Sequence, residues 1–293
     1  HQNGALYSFD KYCGINQLQG KKLSYNNYND IFSAISISRS LPKNVGTTIV
    51  KHANPCGVSI NKNKIKSFEL ALKSDPISAY GGIVSCNFRI DKKMAKELNK
   101  IFLEVVIGIG ISKEALKEFK RKKNLRVIDS TKFKIGNFEH INSSYNNMLI
   151  QSSDFKNLSR KNFKVVSKIK PSKKSFKNLI FAFNICRFVK SNAIVIVKED
   201  STVGIGSGQT SRIDSCKIAI KKMQNFQKDL YKSEIIAASD AFFPFTDGPE
   251  TLAHSGVTTI VQPFGSIRDK EIIKYANKVG MVLVFSRTRH FKH

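Results

Sequence analysis

Apolar residues recur along the chain in short β-branched runs, separated by stretches with helical spacing. "TTIVK", "GGIVS", "EVVIGI", "LRVID", "FKVVSKI", "AIVIVKE", "STVGI", "EIIAAS", "VTTIVQ" and "MVLVFS" read as strands. Most are continuous apolar runs, the pattern of strands covered on both faces. Between them "IKSFELALK" places Ile65, Phe68 and Leu72 on one stripe. "SKEALKEFKRKK" offers Ser112 as an N-cap with Ala115, Leu116 and Phe119 inward. "SKKSFKNLIFAFNICRFV" predicts a long buried helix, and "DSCKIAIKKMQNF" an amphipathic one. "SIRDKEIIKYANKVG" predicts a second amphipathic helix, closing at Gly280. Strands alternating with helices imply α/β layers. Residues 132–174 are polar and rich in Asn, Ser and Lys, so a boundary between two lobes is expected there, near residue 160. No sequence repeat is evident, although "VKHAN" and "VKSNA" each set a lysine beside a strand.

The 293 residues, 41% of them hydrophobic, suffice for one large core or two lobes. No run approaches a membrane span, and no signal peptide is visible. The chain begins with His, so it is expected to be processed or cut from something longer. Five scattered cysteines suit reduced thiols and a cytoplasmic location. A formal net charge of +27 admits a nucleic-acid partner. The lysines are spread over nearly the whole chain, however, which fits a solvated surface with a positive field for small anions.

Chemistry in α/β proteins gathers at strand ends. Lys51-His52 follows "TTIV", "GSGQTSR" follows "STVGI", and "SDAFFPFTDG" follows "EIIAA". "QPFGS" follows "VTTIV" and "SRTRHF" follows "MVLVF", while "KSN" (Lys190–Asn192) precedes its strand. These punctuated ends would form one rim. Lys51-His52 is either a proton-transfer pair with an oxyanion-stabilising ammonium or a surface basic pair. "GIGSGQTSR" is either an anion-approach loop or a tight strand-to-helix turn. "AFFPF" is either a flat wall for an aromatic ligand, with Asp247 to bond a ring nitrogen, or a core plug. Asn54, Pro55 and Gly57 predict a turn that holds Cys56 as a small buried residue. A zinc deaminase needs H-x-E and P-C-x-x-C. Here His52 is followed by Ala53-Asn54, and Ser59 stands where the second Cys belongs, so no metal is expected.

Taken together, "SYNNYND", "VKHANPCG", "SDPISAYGGIVS", "FVKSNAIV", "GIGSGQTSRI", "ASDAFFPFTDG", "QPFGSIRDKEII" and "RHFKH" resemble, in order, the AICAR transformylase domain of the bifunctional purine-biosynthesis protein. The resemblance covers His1 to His293. It implies two cytidine-deaminase-like α/β lobes with mixed sheets covered by helices, residues 1–160 and 161–293, without the IMP cyclohydrolase domain and hence without ring closure to IMP. It implies formyl transfer from the co-substrate 10-formyltetrahydrofolate to the 5-amino group of AICAR, with no catalytic metal, in a homodimer whose active sites lie across the interface. Lys51, His52 and Asn192 match the catalytic residues. Asn27, Gly82, Arg212, Phe242 and Arg289 match AICAR contacts, and Pro244, Asp247 and Ser266 match the folate site. The family carries Arg-Tyr-Gly-Glu-Asn-Pro before His-Gln, and its Arg-Tyr helps bind the nucleotide. A chain starting at His1-Gln2 is therefore expected to bind AICAR weakly or to need a longer form. Thr246, Phe264 and Arg287-Thr288 also depart from common family residues, which bears on turnover more than on fold. The alternative is a degenerate, noncatalytic nucleotide- or RNA-binding protein on the same fold.

Overall fold

A computed structural model describes residue 6 and residues 14–136, 139–154, 157–227 and 233–293. His1, Gln2 and Cys13 lie outside the described residues. The first half runs β1 (Asn16–Gln19), α1 (Tyr25–Ser40), β2 (Gly46–Lys51), β3 (Asn54–Ile60), α2 (Lys64–Ser74) and α3 (Pro76–Ala79). It continues through β4 (Gly82–Cys86), α4 (Lys92–Leu98), β5 (Leu103–Gly108), α5 (Lys113–Phe119) and β6 (Arg126–Asp129). An exposed hairpin, β7 (Glu139–Ser144) and β8 (Asn147–Ser152), follows within the polar stretch. The second half runs β9 (Phe163–Val165), α6 (Lys173–Cys186), β10 (Ile194–Lys198), β11 (Ser201–Gly206) and α7 (Arg212–Phe226). It ends with β12 (Ile235–Ser239), α8 (Asp247–His254), β13 (Thr259–Pro263), α9 (Asp269–Lys278) and β14 (Val282–Ser286).

Twelve strands form one mixed sheet in the order β1-β6-β5-β4-β2-β3-β11-β10-β12-β13-β14-β9. The order is a palindrome of two equivalent halves. Each half has an antiparallel edge strand, a helix, an antiparallel hairpin, and three parallel strands linked by helices. The halves meet where β3 pairs antiparallel with β11, so a pseudo-two-fold axis passes through the sheet there. The repeat extends to packing. Gly57, fourth in β3, lies so close to α2 that a Cβ would sit 1.9 Å from the Ala71 carbonyl oxygen. Gly204, fourth in β11, meets the Ala219 carbonyl of α7 at 2.1 Å in the same way.

One face of the sheet is covered by α1 and α6, whose Ile31, Ile35, Leu179 and Phe183 join strand residues of both halves in a continuous core. Fully burying such a side chain contributes about 1.5–3 kcal/mol. The other face holds two separate clusters, one under α2, α4 and α5 and one under α7, α8 and α9. Ser112 caps α5 through the Ala115 amide, as its spacing predicts. Gly280, at φ 70°, ends α9 with the Met281 amide bonded back to the Ala276 carbonyl. Among the described residues no helix is long and apolar enough to cross a membrane.

The predicted turn at Asn54–Gly57 is a correction. These residues form β3, and the turn is His52–Ala53. The register shifts between Ile49 and Val50, whose partners are Gly57 and Pro55, which leaves Cys56 as the extra residue of a bulge. A bulge tolerates a proline that cannot donate to the ladder, so turn-like composition sits inside a strand. The "VKHAN" and "VKSNA" stretches are not equivalent either. By the two-fold, the counterpart of the His52–Ala53 turn is Glu199–Asp200, between β10 and β11.

Candidate functional site

Strand direction determines which loops meet. β2, β11, β12, β13 and β14 run one way, and β3, β4, β5, β6 and β10 the other. The ends of the first group therefore share one edge with the starts of the second. Lys51-His52, the 207–211 loop, Asp240–Thr246, Phe264–Arg268 and Arg287–Arg289 all lie there, with Lys190–Asn192 and Gly82. The rim expected from the strand ends is present.

On that rim the His52–Ala53 turn is tightly determined. Both residues are left-handed, at φ 52° and 56°. That conformation costs an L-residue about 1–2 kcal/mol. Asp30, on α1, holds the turn with both carboxylate oxygens, which accept the amides of His52 at 3.1 Å and Ala53 at 2.7 Å. The Ala53 carbonyl accepts from Ser33 Oγ at 2.9 Å and from Lys292 Nζ at 2.7 Å. The His52 ring projects from an exposed residue, while Lys51 is half-buried and donates to the Tyr80 carbonyl at 2.7 Å, beside Gly82. Asn54 joins the two halves of the site. Its Nδ2 donates to the His52 carbonyl at 3.1 Å, and its Oδ1 accepts from the Lys190 amide at 2.9 Å.

Asn192 is anchored in turn. Its Nδ2 donates to the carbonyls of Gln209 at 2.9 Å and Thr210 at 3.2 Å, and its Oδ1 accepts from Arg212 Nη2 at 2.7 Å. Carbonyls only accept and a guanidinium only donates, so the amide orientation is unambiguous. Arg212 Nη1 reaches Ser239 Oγ at 2.8 Å and pairs with Asp240 Oδ1. Asp240 is fully buried, and its second oxygen accepts from Ser191 Oγ at 2.6 Å. The Arg212 guanidinium is thus committed to holding Asn192, Ser239 and Asp240 together.

The other assigned residues are spread along the edge. Asn27 closes a capping box with Ser24 at the start of α1 and donates to Glu104 Oε2 at 3.0 Å. Phe242 is half-buried after β12, and Pro244 and Asp247 are exposed. The phenylalanines of "AFFPF" do not share one environment. Phe243 is a core plug, while Phe245 is 52% exposed and stacks under Arg268, 4.9 Å from its ring centre. Ser266 caps the Arg268 amide at 3.2 Å, and Arg289 is exposed over Phe291. Counting strands, Gly82 on β4 and Phe242 after β12 are five spacings apart, roughly 24 Å at ~4.8 Å each. Sequence reasoning misses Asp30, Asn54, Asp240 and Lys292. "SYNNYND", "ASDAFF" and "RHFKH" contain three of them, but nothing in those strings says which residue they grip.

Burial, followed by the nearby Asp75 carboxylate, pushes the Cys56 thiol up to about 12, which makes it an inert core group. Burial pulls the Lys292 ammonium down to about 8; Asp30 opposes that shift and Lys190 adds to it. Among the described residues no group of three or more His, Cys, Asp or Glu is placed to hold a metal ion.

Residues 1–222 match the family model described as the AICARFT/IMPCHase bienzyme. The chain belongs to this family. Members similar to it include the "Bifunctional purine biosynthesis protein PurH" of Leptospira biflexa serovar Patoc, 43% identical over 296 residues, and that of Aquifex aeolicus, 42% identical over 300. The protein of the same name from Buchnera aphidicola subsp. Acyrthosiphon pisum is 40% identical over 301 residues. Each match covers 100% of this chain but only 57–58% of the relative, so the chain spans somewhat over half the length of these AICARFT/IMPCHase proteins. The printed name of these relatives assigns them to purine biosynthesis.

Proposed function

We propose that the chain is the formyl-transfer part of its family, moving the formyl group of 10-formyltetrahydrofolate to the 5-amino group of AICAR. The observation that carries this reading is the hydrogen-bonded link from the Lys51-His52 turn, through Asn54, to the segment that leads into Asn192. The AICAR amine is a weak nucleophile, because its lone pair delocalises into the imidazole and carboxamide. Its attack on the formyl carbon forms a C–N bond and an oxyanion. Lys51 stabilises that oxyanion, and the Asn192 amide joins it by exchanging its longer, exposed bond to Thr210. His52 takes the proton from the attacking nitrogen and delivers it to N10 of the folate as the N10–formyl bond breaks. Tetrahydrofolate and formyl-AICAR result, with no net proton gained or lost.

The spread of the assigned residues supports a homodimer. A small-molecule pocket of roughly 300–1,000 Å³ is about 10 Å across. One such pocket cannot span the strand spacings between Gly82 and Phe242 of a single chain. A second copy would bring the Asn27, Lys51, His52 and Gly82 group of one protomer against the Phe242, Pro244, Asp247, Ser266 and Arg289 group of its partner.

The test is tetrahydrofolate production from AICAR and 10-formyltetrahydrofolate, followed by absorbance on this chain and on a form extended at its N-terminus. Lys51→Ala and His52→Ala should each abolish turnover and leave the melting temperature unchanged. Retained turnover in both variants would refute the assigned roles. No turnover in the extended form, with strongly salt-dependent RNA binding instead, would favour the noncatalytic reading.

A further inference from the structure

We propose that Lys292 is a positioning residue for His52, clamping the His52–Ala53 turn to the end of α6 and thereby setting where the imidazole sits. Its Nζ donates to the Ala53 carbonyl at 2.7 Å and to the Phe188 carbonyl at 2.9 Å, two acceptors that are 135 residues apart in the chain. Its own carbonyl accepts from the Ser191 amide at 2.9 Å, next to Asn192. Two residues earlier, the His290 amide donates to the Asp240 carbonyl at 2.9 Å. The segment 290–292 therefore ties together the turn that carries His52, the peptide that carries Asn192, and the buried Asp240 hub.

A turn with two left-handed L-residues needs such fastening. Asp30 holds its two amides and Ser33 one face of its carbonyl. Lys292 supplies the second donor to the Ala53 carbonyl, and of Asp30, Ser33 and Lys292 it alone comes from the second half of the fold. The charges that face it are Asp30 of α1 and Lys190 of the segment before β10. Burying an ammonium beside another lysine is costly unless it serves paired acceptors, and both acceptors here are backbone carbonyls that would otherwise lack this donor. Nothing in this arrangement requires Lys292 to touch substrate.

The kinetic arm of the test rests on the formyl-transfer reading; the exchange arm does not. Lys292→Met, Lys292→Gln and Lys292→Arg are made in the full-length protein. In Lys292→Met, kcat should fall about 10- to 100-fold, the loss expected when a catalytic group shifts by an ångström, with both KM values within about threefold of wild type. Lys292→Arg should recover kcat to within about threefold of wild type, because its guanidinium can serve both carbonyls. In the same Met variant, hydrogen exchange at the His52 and Ala53 amides should accelerate at least about tenfold while amides of β12 keep their protection. A lowered melting temperature with unchanged kcat would reduce Lys292 to a structural role and overturn the proposal. Unchanged exchange at residues 52 and 53 would overturn it whatever the reaction. Absence of formyl transfer in the wild type would sink the functional reading instead, and the exchange result would still decide this one. If the Met variant does not fold, the Gln variant, whose shorter amide cannot reach both carbonyls, should show the lower kcat and the faster exchange at residues 52 and 53 relative to Arg, and wild-type values on both readouts would overturn the proposal.

Discussion

The grip of Asp30 on the His52–Ala53 turn can be taken apart by one substitution, Asp30→Ala. Hydrogen bonds to a charged acceptor contribute about 1.5–3 kcal/mol each. One of the two bonds here lies at an exposed residue, where solvent screening brings the pair down to or just below the lower bound of that range, about 2–3 kcal/mol in all. That is comparable to the roughly 2–4 kcal/mol that two left-handed L-residues cost, which is why the turn holds its shape. Without the carboxylate the strain is no longer offset, and the turn should relax toward ordinary φ values. For a chain of this size 1 kcal/mol shifts the midpoint by about 2–4 °C, so a drop of roughly 5–10 °C is expected. Asp30→Asn, whose amide oxygen can accept from one of the two N–H groups, should lose about half as much. Ala53→Gly, which removes one Cβ from the left-handed region, should restore part of the loss when combined with Asp30→Ala. Thermal melts and the formyl-transfer assay are run on the wild type, the two single variants at Asp30 and the double variant. If Asp30→Ala melts within about 1 °C of wild type and keeps its kcat, the carboxylate is not what holds the turn, and the account of the site's geometry is wrong.

Asp240→Ala should be more severe, because it leaves the Arg212 guanidinium buried without its partner; about 3–5 kcal/mol is expected in denaturant titrations, with loss of turnover as Asn192 is released. Gly57→Ala and Gly204→Ala each push a Cβ into a helix carbonyl, and each should cost at least about 3 kcal/mol or prevent soluble expression; similar effects at the two sites would support the structural repeat. The Cys56 thiol, held at about 12 by burial, stays protonated until the pH nears that value, so a thiol reagent at pH 8 should label it only after unfolding; rapid labelling of the native chain at this position would contradict its placement.

How much is legible in advance varies with the physics of each element. The continuous apolar runs of β2, β4, β10 and β12–β14, and the stripes of α2, α5, α7 and α9, are readable because burial on both faces or on one face leaves a local pattern. α1 does not read as a helix, since its inward face mixes Asn27 and Ser38 with Ile31, Ala34 and Ile35. β3 reads as a turn because its bulge admits Pro55 and its contact with α2 demands Gly57. Lys51, His52 and Asn192 are legible as candidates from residue type and position at strand ends.

The order of residues alone settled that this is an α/β chain of a particular family, because local burial patterns and short motifs survive in sequence. Residue patterns show no repeat between the two halves, and only the family resemblance implied two lobes of one kind; the strand order shows the repeat directly. The halves share strand order and a close glycine-to-helix approach, which many different side chains satisfy. Nor could the order of residues reveal that Asp30, Asn54, Asp240 and Lys292 hold the turn and Asn192 in place. Those bonds join residues as far apart as 53 and 292, and only the packing of both halves into one sheet brings them within hydrogen-bonding reach.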